Sequence, residues 1–287
     1  MDIQPKTYYN AQLSDKDFDA LSSYIYGEYG IKMPYVKKVM LQSRLQKRLK
    51  ELNLSTFKEY IEHVFGTPGS EEVIHMMDVV STNKTDFFRE PAHFDFMRDV
   101  ILPEAISNNQ RNIKIWSAGS SSGEEAYTIA FTINEFNENI KNNSGIDYQI
   151  IGTDISTIVL KAAIDAVYKE DKVEPIPMSL RRKYFLKSKD PRKNLYRVIP
   201  QVRSKVKFGR MNLMDSSYSI NETFDIIFCR NTLIYFDRET QENVINKLCR
   251  HLRPKGYFFL GHSESITNMN VPLKHIKPTI FQKDDHR

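Results

Sequence analysis

From Arg111 to the C-terminus, short apolar runs alternate with helical stretches, and that alternation narrows the possible folds more than any other feature. IKIWSA (113–118) precedes EEAYTIAFTINEF, and YQIIGT (148–153) precedes STIVLKAAIDAVY. KVKFG (205–209) and FDIIFC (224–229) follow, then RETQENVINKLCRHLR, GYFFLG (256–261) and TIFQK (279–283). Strands that read almost wholly apolar are buried on both faces, so the pattern predicts a parallel sheet with helices on each side. The expected class is α/β, a doubly wound domain. The interval from Tyr168 to Lys205 interrupts the alternation with prolines, a basic cluster and a short strand-like LYRVI (195–199). It reads as an insertion built on a small β-hairpin.

The first eighty residues have a different texture. Phe18, Leu21, Ile25 and Tyr29 recur at helical spacing, with Ser14 placed to cap the helix and Gly30 to stop it. Leu41, Leu45, Leu49 and Leu52 form the stripe of a second helix. Lys37, Arg44, Lys47, Arg48 and Lys50 spread over its opposite side. A third helix follows Ser55 and is ended by Gly66, Pro68 and Gly69; a fourth covers about 71–80. The expected division is therefore a helical domain over 1–84 and an α/β domain over 85–287.

Several function classes drop out early. No apolar run approaches the roughly 18 residues needed to span a bilayer, and the first residues lack the basic-then-apolar pattern of a secretory signal. Two cysteines, Cys229 and Cys249, make neither a disulfide framework nor a zinc site and fit a reducing compartment. Net charge is +5, yet twelve residues between Arg181 and Arg210 are basic and only Asp190 is acidic. A basic patch on an otherwise acidic body suits an anionic partner, or is simply a solvated surface.

Four motifs follow strands of the α/β domain, where open sheets of this kind bind ligands. Trp116-Ser-Ala-Gly-Ser-Ser-Ser-Gly-Glu-Glu125 runs from a strand through small residues into a helix. Small side chains let a ligand approach the backbone closely. The two glutamates at the helix start would repel a pyrophosphate and suit a cationic group, such as the amino group of a methionine moiety; equally, they compensate the helix dipole. Asp154 ends the next strand, placed to accept from both hydroxyls of a ribose or to cap the helix near Ser156. Asn212 and Leu213 follow the third strand, where an amide and an apolar side chain can read and pack an adenine. Arg230, Asn231 and Tyr235 follow the fourth. Together they point to a nucleoside ligand without phosphates. A fifth motif, Ser81-Thr-Asn83-Lys-Thr85-Asp-Phe-Phe-Arg89-Glu, lies where the domains join and is either a lid or a plain linker.

With these residues assembled, the chain resembles the chemotaxis receptor methyltransferase (CheR-type) family. Thr82-Asn83-Lys-Thr85-Asp-Phe-Phe-Arg89-Glu is similar to its T-N-x-T-x-F-F-R-E signature, and the Trp116–Glu125 segment to its cofactor loop. Cys229-Arg230-Asn231-Thr-Leu-Ile-Tyr235-Phe236 and Gly261-His262-Ser263-Glu264 are similar to its later blocks. The resemblance implies an S-adenosylmethionine-dependent methyltransferase (Rossmann-like) domain with a small inserted antiparallel β-subdomain, about 187–204, after an all-helical domain. It implies methyl transfer from S-adenosylmethionine to glutamate carboxylates of chemotaxis receptors, leaving methyl esters and S-adenosylhomocysteine, with no metal.

The family's cofactor contacts fall on Asn83, Thr85, Arg89, Glu125, Asp154, Asn212, Leu213, Arg230 and Asn231; its reaction centre falls on Arg89 and Tyr235. The implied setting is the cytoplasm, at membrane receptor arrays, with the receptors' cytoplasmic helical domains as partners. In that setting Lys37, Arg44, Lys47 and Arg48 would dock on an acidic receptor surface. In some members the inserted subdomain grips a receptor C-terminal tail peptide; the corresponding segment here, Lys187 to Asn194, contains no glycine. A glutamate carboxylate, with a reference pKa of about 4.3, needs no general base. The lack of an evident His or Cys dyad therefore suits this reaction. A methyltransferase acting on RNA or a small molecule, and a non-catalytic cofactor-binding signalling module, are the alternative readings.

Overall fold

The computed structural model describes residues 11–66, 71–140, 145–190 and 192–285. Helices α1 (Asp15–Tyr29), α2 (Lys38–Glu51), α3 (Phe57–Gly66) and α4 (Glu71–Val80) form the N-terminal domain. Ser14 caps α1 by accepting from the Asp17 amide, and Gly30 ends it in the left-handed conformation at φ 68°. Thr56 and Glu59 exchange hydrogen bonds as a capping box at the start of α3. The expected stops at Pro68 and Gly69 lie outside the described residues. Leu41, Leu45 and Leu49 are fully buried against Leu21, Ile25, Met76 and Met77, each leucine contributing about 2 kcal/mol.

Helices α5 (Ala92–Phe96) and α6 (Leu102–Ser107), joined by a π turn, lead into the sheet. Its first elements are β1 (Asn112–Ala118), α7 (Glu124–Glu138), β2 (Asp147–Asp154) and α8 (Thr157–Asp165). The insertion comprises β3 (Val167–Lys169), α9 (Glu170–Val173), α10 (Met178–Tyr184), β4 (Phe185–Lys187) and β5 (Leu195–Val198). After α11 (Pro200–Arg203) come β6 (Val206–Arg210), β7 (Phe224–Cys229), α12 (Arg238–Arg250), β8 (Leu252–Leu260), β9 (Leu273–Lys277) and β10 (Ile280–Lys283). The main sheet has the order β6-β2-β1-β7-β8-β10-β9. The first five strands in that order are parallel. The chain moves from β1 out to β2 and β6, then returns to place β7 on the other side of β1. That reversal opens a crevice at the carboxyl ends of β1 and β7.

The structure corrects three sequence expectations. The sheet is not wholly parallel: β10 runs antiparallel to β8, and β9 antiparallel to β10. Only Pro278 and Thr279 separate β9 from β10, a link too short for a parallel crossover. The stretch STIVLKAAIDAVY is not one helix. Ala166 turns left-handed at φ 53°, and Val167–Lys169 leave α8 to pair with β5. The inserted antiparallel sheet, of order β3-β5-β4, therefore begins about twenty residues before the expected start at 187. The insertion packs over α7, where Phe131 stacks on Tyr184 of α10 with ring centroids 4.5 Å apart and meets Phe185 of β4 edge-on. This second covering layer explains why α7 is apolar on nearly every side.

Candidate active site

The carboxyl ends of β1, β2, β6 and β7 open into one cleft of about 320 Å³, within the range of small-molecule sites. Tyr29, Met33, Lys37 and Met40 of the N-terminal domain and the 80–89 connector form its opposite wall. All nine expected cofactor residues line it, as does Tyr235.

After β1 the chain turns at Gly119, whose φ of 80° favours glycine. A Cβ there would collide with the Thr232 side chain. The Gly119 and Ser120 amides both donate to the Thr153 carbonyl at 2.8 and 2.9 Å, tying the loop to β2. Asp154, 8% exposed, accepts from the Ser121 amide at 2.9 Å and the Ser156 amide at 3.0 Å. Burial pushes its carboxyl up, against the pull of those amides. Ser156, not Asp154, caps α8, so the aspartate is left to form part of the cleft wall.

Glu125, in the first turn of α7, accepts from Ser117 Oγ at 2.7 Å and pairs with Arg230 Nη1 at 3.0 Å. Burial raises its pKa, and the Arg230 charge opposes the rise. Arg230 is 2% exposed and also pairs with Glu90 at 3.0 Å, so one guanidinium is held between two carboxylates. A buried cation needs such compensation. Burial works against ionisation of Glu90, but Arg230 overcomes it and holds the carboxyl below its ordinary range. Asn231 follows in the left-handed region at φ 57°. Glu264 fixes that turn: one carboxylate oxygen accepts from the Asn231 and Gly261 amides at 2.9 and 2.7 Å, the other from Leu233 at 2.7 Å.

Some of the remaining expected residues also bridge the two domains. Asn212 donates from Nδ2 to the Glu28 carbonyl at 2.8 Å, and the Asn83 carbonyl accepts from Ser121 Oγ at 2.9 Å. The Thr85 carbonyl accepts from Lys172 at 2.6 Å, and Leu213 is buried. Arg89 donates to the Lys84 carbonyl at 2.9 Å. The Tyr235 hydroxyl lies 3.3 Å from the Thr82 carbonyl. Burial raises its pKa, with the charges of Arg89 and Arg44 pulling the other way. Lys37 Nζ sits 6.0 Å from the centre of the same ring. Lys37 and Arg89 thus line the same cleft as Tyr235.

The basic face of α2 is narrower than the sequence suggests. Arg44 donates to the Val80 and Ser81 carbonyls, and Arg48 pairs with the buried Glu72 at 2.6 Å. These two residues, four apart, face α4, which packs against α2. Lys37 lines the cleft, and Lys47 is exposed.

Sequence comparison fits this geometry. The family model "CheR methyltransferase, SAM binding domain" matches residues 83–281, and "CheR methyltransferase, all-alpha domain" matches 16–81. The chain belongs to the CheR methyltransferase family. A chemotaxis protein methyltransferase of Borreliella burgdorferi is 38% identical over 98% of this chain and 99% of its own length. Chemotaxis protein methyltransferase 2 of Pseudomonas aeruginosa is 34% identical, covering 93% and 92% of the two chains. That of Salmonella typhimurium is 33% identical, covering 90% and 86%.

The chain is accordingly an S-adenosylmethionine-dependent methyltransferase, and its cleft fits that cofactor. Asp154 presents a buried carboxylate at the β2 tip and Glu125 another beside the α7 N-terminus, while Met33, Met40, Met211 and Leu213 add apolar surface to the cleft. Three residues that shape this CheR site escaped the residue-by-residue reading. Glu90 and Glu264 were visible only as parts of longer motifs. Asp78, which accepts from Ser156 Oγ and Thr157 Oγ1 at 2.7 Å each, had no local signal. It reaches the cofactor domain from α4 across the interface.

Proposed function

We propose that this CheR-family chain methylates glutamate side-chain carboxylates in the cytoplasmic helical domains of chemoreceptors, for sensory adaptation. The observation that carries the reading is that two cations, Arg89 and Lys37, line the same cleft as Tyr235, with Lys37 Nζ 6.0 Å from the centre of its ring. A cationic rim attracts and orients a carboxylate. The cofactor, when bound, supplies an electrophilic methyl group on a sulfonium. Asp154 holds the ribose and Glu125 faces the cationic amino group. Asn212 and Leu213 read and pack the adenine; Asn83, Thr85, Arg230 and Asn231 complete the walls. Arg89 aligns the glutamate carboxylate, and Tyr235 shapes the space in which the methyl is received. Both domains close the site and exclude water, which strengthens alignment and weakens solvation of the nucleophile. No residue needs to remove a proton, because the carboxylate is already ionised at neutral pH.

Lys37 and Lys47 supply the docking charge, with Arg44 contributing through the field around Tyr235. We place the reaction in the cytoplasm, with the protein recruited to receptor arrays. β4, an edge of the inserted sheet, supports a tail-peptide contact by strand addition. The test is transfer of labelled methyl from S-adenosylmethionine to receptor-containing membranes, followed by mild alkali. Alkali-labile label on a receptor band supports the reading. Stable label on RNA, or cofactor binding without transfer, overturns it.

A further inference from the structure

Beside Arg230, outside the residues that line the cleft, three metal-binding groups converge. The carboxylate of Glu90 and the imidazoles of His93 and His262 each offer one ligand atom, all within 4.8 Å of one another. His93 Nδ1 lies 3.6 Å from Glu90 Oε2, and His262 Nε2 lies 4.0 Å from the same oxygen. The ligand atoms of a tetrahedral ion, at bond lengths of about 2.0–2.2 Å, stand roughly 3.3–3.5 Å apart. Small side-chain shifts close the observed spacing. The His262 side chain is 61% exposed and free to make them.

His93 supplies the independent observation. Its side chain is 1% exposed, and its Nδ1 has no hydrogen-bond partner among the described residues. The other ring nitrogen, Nε2, is 2.7 Å from Thr279 Oγ1, whose hydroxyl donates to the Pro278 carbonyl at 2.7 Å. In the tautomer that leaves the hydroxyl proton on that carbonyl, Nε2–H donates to Thr279 and Nδ1 carries the bare lone pair. A lone pair facing a carboxylate, with the far nitrogen anchored to an oxygen, is how a metal-bound histidine is held. A buried acceptor with no donor is otherwise costly. Two imidazoles and one carboxylate suit zinc and its neighbours, not magnesium or calcium.

Position gives this site a consequence. Glu90 Oε2 is the atom that pairs with Arg230 at 3.0 Å, and Glu90 Oε1 accepts from Asn231 Nδ2 at 3.3 Å. An ion on Oε2 competes with Arg230, whose guanidinium then keeps Glu125 as its one carboxylate partner, with the Arg89 carbonyl beside it. We propose that Glu90, His93 and His262 bind a zinc-type divalent ion reversibly, and that its binding lowers methyl transfer by drawing Glu90 away from Arg230. The second half rests on the methyltransferase reading above; the first does not.

The test uses the tag-free full chain, stripped with a chelator, and His262→Ala, which alters an exposed side chain outside the cleft. Titration calorimetry with zinc chloride should give one equivalent for the parent and at least tenfold weaker binding for the variant. Cobalt substitution should give tetrahedral visible bands in the parent only. Methyl transfer should be equal for both proteins in chelator, and zinc should inhibit the parent over its binding range while sparing the variant. Equal zinc affinity in the two proteins, or no binding at all, overturns the site. Binding without inhibition overturns the regulatory role. Absence of methyl transfer even in chelator would count against the function while zinc binding lost in His262→Ala still upheld the site.

Discussion

Replacing Glu264 with glutamine isolates the contribution of one buried carboxylate to the cofactor cleft. Its two oxygens accept three backbone amides, from Asn231, Gly261 and Leu233. In Glu264→Gln the amide oxygen can keep the Asn231 and Gly261 donors, but the new NH₂ then faces the Leu233 amide, donor against donor. One charge-assisted bond is lost, at about 1.5–3 kcal/mol, and the other two weaken to neutral strength. Burial already disfavours the charge on Glu264, so neutralising it returns part of that loss. The net expected cost is about 2 kcal/mol, or a melting temperature roughly 4–8 °C lower. The bond that holds Asn231 left-handed weakens and the Leu233 end of the same turn is released, so affinity for S-adenosylhomocysteine should fall about tenfold, which corresponds to about 1.4 kcal/mol. Thermal melts with and without S-adenosylhomocysteine, together with calorimetric titration, measure both effects. A variant that melts within about 1 °C of the parent, with affinity within about twofold, would refute the role given to Glu264.

Three further substitutions probe the rest of the site. Arg89→Ala should lower turnover at saturating cofactor by about a hundredfold; single-turnover methyl transfer reads this, and an unchanged rate removes Arg89 from substrate alignment. Asp78→Asn leaves one of three donors, Ser156 Oγ, Thr157 Oγ1 or the Ile158 amide, without its acceptor. Chemical denaturation should show a loss of about 1–3 kcal/mol, and the KM for S-adenosylmethionine should rise because Ser156 also orients Asp154. Because burial lifts the Asp154 carboxyl above its reference of 3.8, acid protonates it earlier than an exposed aspartate and removes the proposed ribose acceptor. Cofactor affinity, followed by titration at stepped pH, should therefore decline on mild acidification, and Asp154→Asn should flatten that component of the profile.

Much of this architecture was legible because local chemistry and global position agree. The leucine stripe of α2 can be buried on only one side, and apolar runs such as FDIIFC belong between two helical layers. Positions just after such strands are where a doubly wound sheet must place its ligand, so Asp154, Asn212, Arg230 and Asn231 could be chosen before any coordinates. The antiparallel end of the sheet and the early start of the insertion were not legible. β3 has three residues in a sequence that reads equally well as helix, and only its pairing with β5 decides the conformation.

The sequence by itself determined the two-domain composition, the strand-and-helix order of the α/β domain, and which loops line the cleft. These follow from short-range periodicity and from residue types at strand ends. Tertiary structure alone decided what each charged group meets. Arg44 and Arg48 look as available as Lys47 on a helical projection, until α4 covers their side of α2. Arg230 takes its two carboxylate partners from Glu90 and Glu125, more than a hundred residues away. Asp78 reaches α8 across nearly eighty. Electrostatic pairing depends on distance and burial in space, and neither is written in the spacing of residues along the chain.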